Sequence, residues 1–181
     1  MFFIICKWLN KIIIYILRYK IHVSINLDYI DILNPHIKKT LISKIKSHNI
    51  GSYLTLEILE SEKVSNFNIV NDFIAEVKKY GVKIAIDDFG TGFSNYENIL
   101  NLNIDYIKID GSLIKKIDED IYLNLIKSIV LFSKQQKIKV VAEFVSDLKI
   151  LRYVKNIGID YSQGYYIGKP TNINELIEEK E

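Results

Sequence analysis

The 181-residue sequence predicts an α/β fold in which helices cover a parallel β-sheet. Six short runs rich in branched apolar residues alternate along the chain with longer stretches of helical periodicity. These runs are apolar at nearly every position, as expected for strands that are covered on both faces. No proline-, glycine- or serine-rich stretch divides the chain, so we expect one domain over residues 1–181. An open doubly wound sheet and a barrel both satisfy this pattern.

The first predicted element is an amphipathic helix over Phe2–Tyr19, within a segment (residues 1–20) that precedes the first strand. Its longest uninterrupted apolar runs, Met1–Cys6 and Ile12–Leu17, have six residues each, whereas a spanning helix needs about 20. A secretory signal would place positive charge before its apolar core and end on small residues, and neither feature is present. We therefore expect a buried helix, with a helix lying on a membrane surface as the alternative.

Strand and helix signals alternate along the rest of the chain. Asn34 and Pro35 form the N-cap and first turn of a helix, and Gly81 is expected to cap a later helix. The predicted strands are Ile21–Leu27, Tyr53–Leu59, Val82–Phe89, Tyr106–Asp110, Lys139–Phe144 and Tyr161–Ile167. The predicted helices cover about Asn34–Asn49, Asn66–Tyr80, Ser94–Leu100, Glu119–Lys137, Asp147–Asn156 and the chain from Asn172 onward.

The composition excludes several classes of function. Of the 24 basic residues only Arg18 and Arg152 are arginine, and the formal net charge is +2. Arginine is the preferred side chain for contacts with phosphates and bases, so we do not expect a nucleic acid polymer as ligand. The single cysteine, Cys6, cannot form an internal disulfide, which fits the cytoplasm. Because histidine is also scarce, any bound metal should be held by oxygen ligands.

Polar side chains occur near the end of nearly every predicted strand, and parallel α/β proteins place their sites at the C-terminal ends of strands. They are Asn26, Glu57, Asp87, Asp88, Lys108, Asp110, Glu143 and Gln163, with Glu60 beyond the second strand. Carboxylates brought together there would repel one another unless protonated or bound to cations. Oxygen ligands without histidine suit Mg²⁺ or Mn²⁺.

The adjacent pair Asp87 and Asp88 could allow one carboxylate to bridge two metal ions while the other binds one. Paired metal ions are a recurrent device for phosphodiester hydrolysis. Lys108 could then orient the attacking water or stabilise the charge on the phosphate. A single strand-end aspartate is more often a helix cap, and Asp110 could simply cap the segment that follows it. Capping does not readily explain polar groups at five strand ends.

Six segments, taken in order, resemble the EAL domain family, the cyclic di-GMP phosphodiesterases of bacteria. Ile84–Asn95 (IAIDDFGTGFSN) is similar to the family's DDFGTG signature. The other segments are SINLDYI at Ser24–Ile30, LEILES at Leu56–Ser61, YIKIDGSLI at Tyr106–Ile114, VVAEFVSD at Val140–Asp147 and YSQGYYIGKP at Tyr161–Pro170. They look like the family's VNLS, LEITES, KIDRSFV, VVAEGVET and QGYYFGRP segments. Together they cover residues 21–170.

The resemblance implies a modified (β/α)₈ barrel that hydrolyses cyclic di-GMP to linear pGpG with Mg²⁺ or Mn²⁺. It implies metal ligands at Asn26, Glu57, Asp87, Asp88 and Glu143. It assigns Lys108 as the general base or water-positioning group, and Glu143 and Gln163 as residues that complete the metal and water site. Glu60 would hold the glycine-rich loop Gly90–Ser94, which in the family helps to couple dimerisation to activity.

The sequence departs from the family pattern in three respects. It contains no Glu-Ala-Leu tripeptide, whose glutamate is a metal ligand in the family. It is roughly 70 residues shorter than a typical barrel of about 250, so we expect about six of the eight strands. Phe144 stands where the family has glycine and could crowd the pocket, and Ser146 replaces a glutamate. An incomplete barrel has open edges that can pair with another chain.

Three interpretations follow from the resemblance and the departures. The first is a metal-dependent phosphodiesterase that is weak or inactive alone and is completed by a second copy or by a chain that supplies the missing strands. The second is a sensor that binds cyclic di-GMP without cleaving it. The third is a gene fragment without independent function.

Overall fold

The computed structural model describes residues 2–59, 67–90 and 96–173, with side chains from Leu9 onward except that of Asn98. Its strands are β1 (Val23–Leu27), β2 (Leu54–Leu59), β3 (Lys83–Phe89), β4 (Tyr106–Ile109), β5 (Lys139–Ala142) and β6 (Tyr161–Ser162). Its α-helices are α1 (Phe2–Tyr19), α2 (Tyr29–Leu33), α3 (Pro35–His48), α4 (Phe67–Lys78), α5 (Tyr96–Leu100), α6 (Gly111–Ile114), α7 (Asp120–Gln135) and α8 (Leu148–Ile157). A 3₁₀ turn over Gly51–Tyr53 precedes β2.

The six strands form one parallel sheet whose spatial order is the sequence order, from β1 to β6. A doubly wound sheet reverses its strand order at a switch point, whereas a (β/α)₈ barrel adds each strand next to the preceding one. The observed order therefore decides between the two architectures in favour of the barrel type. Within the described residues β1 pairs with β2 alone and β6 with β5 alone, so this is an incomplete barrel of six strands.

The core lies between one face of the sheet and the helices that cover it. In β2, burial alternates along the strand: Leu54, Leu56 and Ile58 are buried in the core, and Glu57 belongs to the opposite face. Parallel pairing aligns Asn26 of β1 with Glu57, so these two polar residues share that second face. The face away from the core thus carries the strand-end polar groups.

Helix α1 is packed into the core, as the sequence predicts. Leu9, Ile13 and Ile16 form a stripe on one side of the helix, and each is at most 3 % exposed. Ile14, between them in sequence, is exposed. This spacing is that of an amphipathic helix on a protein core. Among the described residues there is no helix with the length and apolarity needed to cross a membrane.

The predicted helix ends are confirmed where the local chemistry is simple. The side chain of Asn34 accepts hydrogen bonds from the backbone N–H groups of His36 (3.0 Å) and Ile37 (3.3 Å), as an N-cap does. Gly81, just past α4, has a left-handed conformation with φ +85°. The short helices α2 and α6 were not predicted, because each has five residues or fewer and shows no periodicity.

The last two strands are shorter than the sequence predicts. The predicted strand Lys139–Phe144 ends at Ala142, because Phe144 has a left-handed backbone. The prediction of a strand over Tyr161–Ile167 is wrong beyond Ser162. Here the chain turns instead of extending, and the N–H of Ile167 donates to the carbonyl of Gly164 (2.9 Å). Among the described residues, strand β6 pairs on one side only, so few ladder hydrogen bonds oppose this turn.

Candidate functional site

The side chain of Lys108 lies at the centre of three carboxylates from three other parts of the sheet. Its Nζ is 2.7 Å from Oδ1 of Asp87, 2.8 Å from Oε2 of Glu57 and 2.9 Å from Oε1 of Glu143. All four side chains are 12 % exposed or less. Strands β2, β3 and β4 and the residue after β5 therefore contribute to one buried charged cluster, as the sequence predicts for the strand ends.

The position of Lys108 follows from strand alternation. In β4, its neighbours Ile107 and Ile109 are both 0 % exposed and belong to the core. Because successive side chains of a strand point to opposite faces, Lys108 must point away from that core. Its ammonium is then directed at the face on which Glu57 lies. A lysine between two buried isoleucines is thus a sequence signal for a charge held at this face.

A bulge in β3 brings the two adjacent aspartates to the same place. Consecutive residues of a regular strand point to opposite faces, but the pairing of β3 with β4 shifts between Ile86 and Phe89. Asp88 has a left-handed backbone with φ +56°, and its N–H donates to Oδ1 of Asp87 (3.1 Å). As a result, carboxylate oxygens of Asp87, Asp88 and Glu143 lie within 4.8 Å of one another. The bulge therefore creates a group of three carboxylates that could hold a metal ion.

The pKa values of Lys108, Glu143 and Asp88 are all raised in this cluster. Burial alone would lower the pKa of Lys108, but its hydrogen bonds to Asp87, Glu57 and Glu143 outweigh burial and raise it well above its usual range. Burial raises the pKa of Glu143, although Lys108 partly opposes this. Burial, followed by repulsion from Asp87 and Asp110, raises the pKa of Asp88. Lys108 is therefore protonated, and the remaining excess of negative charge is unfavourable without a further cation.

Asn26, Gln163 and Asp110 lie outside the ion-paired cluster. Asn26 is exposed and stands next to Glu57 in the register of β1 and β2. Gln163 continues the edge of the sheet through its backbone: its N–H donates to Ala142 (2.8 Å) and its carbonyl accepts from Val145 (3.0 Å). The carboxylate of Asp110 accepts from the N–H of Ser112 (2.8 Å) and caps α6, which confirms the capping interpretation. Glu60 and residues 91–94 lie outside the described residues.

A cavity of about 400 Å³ adjoins the cluster. It is lined by Glu143, Phe144, Ser146, Gln163, Gly164, Tyr165, Gly168 and Pro170. Phe144 is one of the residues that line the cavity, and the expectation that it crowds this space stays a prediction. Sequence reasoning missed Lys115, whose Nζ lies 4.2 Å from the centre of the Phe144 ring. No motif marks this lysine.

A family model and individual relatives assign the chain to the same family. The model of the EAL domain matches residues 7–170. Cyclic di-GMP phosphodiesterase PdeA of Borreliella burgdorferi is 41 % identical over 139 residues, which is 76 % of this chain and 20 % of that protein. Cyclic di-GMP phosphodiesterase PdeF of Escherichia coli is 33 % identical over 160 residues, or 87 % of this chain and 21 % of that protein. The chain thus spans about a fifth of the length of these curated relatives.

Solved structures give the same result for the fold. An EAL domain protein from Listeria monocytogenes superposes with a TM-score of 0.85 at 27 % identity, covering 94 % of this chain and 70 % of that one. The PaMucR phosphodiesterase, solved as a complex with cyclic di-GMP, has a TM-score of 0.78 at 24 % identity, covering 86 % of this chain and 64 % of that one. The second likeness supports the fold alone. Because the family match from residue 7 to residue 170 includes every strand of the sheet, the chain belongs to the EAL domain family.

Proposed function

We propose that this chain binds cyclic di-GMP at the buried cluster and takes part in its metal-dependent hydrolysis to linear pGpG. The observation that carries the proposal is the group of Asp87, Asp88 and Glu143 beside Lys108, in a member of the EAL domain family. The names of PdeA and PdeF support the choice of reaction and ligand. The closeness of the carboxylates supports the need for a metal ion.

The donor set fits Mg²⁺ or Mn²⁺. The three grouped side chains offer only carboxylate oxygens, which are the ligands that these hard cations prefer. We expect Asp87, Asp88 and Glu143 to hold the cation, with Glu57 and Asn26 as further oxygen donors on the neighbouring strands. A divalent cation bound there would polarise the phosphate and lower the pKa of an attacking water.

The protein groups have separable roles in this proposal. The carboxylates keep Lys108 protonated, and its three N–H donors face Glu57, Asp87 and Glu143. A cation that takes over one of these carboxylates would free a donor to hold a water molecule or a phosphate oxygen. Burial raises the pKa of Glu143, although Lys108 partly opposes this, and a raised pKa suits a carboxylate that accepts a proton from water. Gln163 lines the same cavity as Glu143, where its amide can orient the water. Glu60 would hold the loop after Asp88.

We further propose that these 181 residues turn over cyclic di-GMP slowly or not at all on their own. The sequence has no Glu-Ala-Leu tripeptide, so the glutamate ligand that the family takes from it must come from elsewhere. Strands β1 and β6 each present an edge without a partner among the described residues. A second copy of the chain, or another chain that pairs at these edges, could complete the site.

The absent Glu-Ala-Leu tripeptide also favours a second candidate function, which is binding of cyclic di-GMP without cleavage. A site that lacks one metal ligand can retain the cavity beside Glu143 and bind the ligand there. It can still hold its metal ions too weakly for hydrolysis. A gene fragment that does neither is the third interpretation.

Turnover distinguishes these functions. The purified chain is incubated with cyclic di-GMP and Mn²⁺, and the products are separated by chromatography, with Asp87→Asn as the control for a contaminating enzyme. Formation of pGpG by the wild-type chain alone supports the phosphodiesterase. Binding of cyclic di-GMP in Ca²⁺ without any product in Mn²⁺ supports the sensor. The absence of both binding and product indicates a fragment that needs another chain or has no function.

A further inference from the structure

Phe144 has a backbone conformation that phenylalanine rarely adopts. Its φ is +53°, in the left-handed region where a side chain crowds the following carbonyl and where glycine is favoured. The residue lies immediately after Glu143, at the point where the chain leaves the sheet. The next N–H, that of Val145, returns to the carbonyl of Gln163 (3.0 Å). This strained turn therefore connects Glu143 to the hydrogen bond with Gln163, and both of these residues line the cavity.

The Phe144 ring contacts the α6 segment at two residues. The ring lies so close to Gly111 that a methyl group added there would collide with its Cγ and Cδ2 atoms. From the C-terminal end of α6, the Lys115 ammonium lies 4.2 Å from the ring centre, within the range of a cation–π interaction. The ring is nevertheless 54 % exposed. The contacts at Gly111 and Lys115 therefore hold a ring that is not part of the buried core.

We infer that Phe144 is a positioning residue for Glu143. The contacts of its ring with Gly111 and Lys115 stabilise the left-handed turn, and the turn places the Glu143 carboxylate 2.9 Å from Lys108 Nζ and within 4.8 Å of Asp87 and Asp88. An ordinary residue without a ring at position 144 would relax this turn and move Glu143. The inference rests on the proposed function only in taking Glu143 as a metal ligand.

Two substitutions at position 144 distinguish the effect of the ring from the effect of the backbone strain. Phe144→Gly removes the ring but adopts a positive φ freely, whereas Phe144→Ala removes the ring and keeps the strain. We expect Mn²⁺ titrated by calorimetry to bind the wild type and Phe144→Gly within twofold of each other. We expect Phe144→Ala to bind about fivefold more weakly, corresponding to the lower end of the left-handed penalty. A residue that only adds stability would leave Mn²⁺ affinity unchanged below the melting temperature.

The two contacts of the ring are tested in both backgrounds. Lys115→Met should weaken Mn²⁺ binding about twofold in the wild type and not at all in Phe144→Gly, because there is then no ring to hold. Gly111→Ala should lower the melting temperature of the wild type by collision with the ring, and should not lower it in Phe144→Gly. Lys127→Met, which removes an exposed lysine from α7, is the matched control and should change neither quantity.

Equal Mn²⁺ affinity of Phe144→Ala and the wild type would overturn the inference. Equal effects of Lys115→Met in both backgrounds would also overturn it. If the wild type does not bind Mn²⁺, the metal part of the proposed function fails, and the thermal series then decides whether the ring stabilises the left-handed turn. Phe144→Ala must have a lower melting temperature than both the wild type and Phe144→Gly. Gly111→Ala must lower the melting temperature only where the ring is present. Any other order would refute the role of the ring.

Discussion

The Nζ of Lys108 lies 2.7 Å from Oδ1 of Asp87 on the neighbouring strand, and both side chains are buried. In the same cluster Lys108 also pairs with Glu57 and Glu143, so one ammonium faces three carboxylates. The lysine thus acts as the internal counter-ion of the site. It neutralises only part of the charge, which is why we expect the cluster to take up a divalent cation.

Removing this counter-ion should destabilise the protein. Lys108→Met leaves buried carboxylates without their cation, and breaking a buried ion pair in this way costs about 3–5 kcal/mol. We expect the free energy of unfolding, measured by chemical denaturation without metal, to fall by about this amount, and Mn²⁺ to restore part of it. Lys139→Met is the control, because the ion pair of Lys139 with Asp160 (2.7 Å) is exposed to solvent. Equal losses in the two variants would contradict a buried counter-ion.

We expect Asp88 to be a metal ligand and Asp110 to be a helix cap. Asp88→Asn removes a charge from the group of three carboxylates, so the affinity for Mn²⁺ should fall at least tenfold, or by about 1.4 kcal/mol or more. Asp110→Asn should lower metal affinity less than Asp88→Asn does, because Asp110 acts on the group indirectly, through its repulsion of Asp88. It should leave stability nearly unchanged, because asparagine caps a helix about as well as aspartate. Calorimetric titration with Mn²⁺ measures both variants. A larger loss of affinity in Asp110→Asn than in Asp88→Asn would reverse this assignment.

Metal affinity should depend on pH in the acidic range. Burial raises the pKa of Glu143 above its ordinary value of 4.5 and that of Asp88 above 3.8. Protons therefore compete with the metal at a higher pH than they would for an exposed carboxylate, and Mn²⁺ affinity should fall as the pH is lowered from 7 towards the ordinary carboxylate pKa values. Glu143→Gln, which cannot titrate, should bind more weakly at pH 7 and show a flatter profile. A wild-type affinity that does not change over this range would contradict the role of the buried carboxylates.

Asp105 should stabilise the fold away from the site. Its carboxylate accepts a hydrogen bond from the N–H of Ile84 (2.9 Å) and pairs with Lys78 (2.8 Å) and Lys83 (3.0 Å). Burial would raise the pKa of Asp105, but hydrogen bonds from Lys78, Ile84 and Lys83 outweigh it and lower the pKa. This stability is present above the ordinary pKa of 3.8 and is lost as the pH falls through the lowered value.

At pH 7, Asp105→Asn should therefore lose about 1–3 kcal/mol of unfolding free energy, because it breaks charge-assisted bonds to partly buried groups. Its stability should also decline less steeply than that of the wild type below about pH 4. Asp72→Asn, at an exposed position of α4, is the control and should behave as the wild type does. A variant at position 105 with unchanged stability and an unchanged acid profile would show that Asp105 does not link β3 to β4.

The sequence predicts much of the fold because its signals are local. The stripe of Leu9, Ile13 and Ile16 fixes the side of α1 that packs on the core, and Asn34 fixes the start of α3. The strand pattern alone could not predict the architecture, because an open sheet and a barrel use the same strand–helix units and differ in the spatial order of their strands. The end of β6 was mispredicted because Tyr165, Tyr166 and Ile167 are residue types that favour strands, but the chain turns at Gly164.

The site was predictable where strand ends determine it. Glu57, Lys108 and Glu143 meet because parallel strands end at one edge of the sheet. The sequence also indicated Asp87 and Asp88, but the bulge that aims both at one point depends on the left-handed backbone of Asp88, which no motif specifies. The same limit applies to Phe144, whose ring could not be placed near Lys115 without the fold.

The central claim is that cyclic di-GMP binds at this cluster through a divalent cation. It is tested most directly by calorimetric titration of cyclic di-GMP into the purified chain in Ca²⁺, with Asp87→Asn titrated alongside. The account predicts binding to the wild type in Ca²⁺, and loss of binding both in the presence of a chelator and in Asp87→Asn. Equal binding to the two proteins, or binding that the chelator does not affect, would place the ligand elsewhere. No binding to a wild-type chain that does bind Ca²⁺ would also contradict the claim.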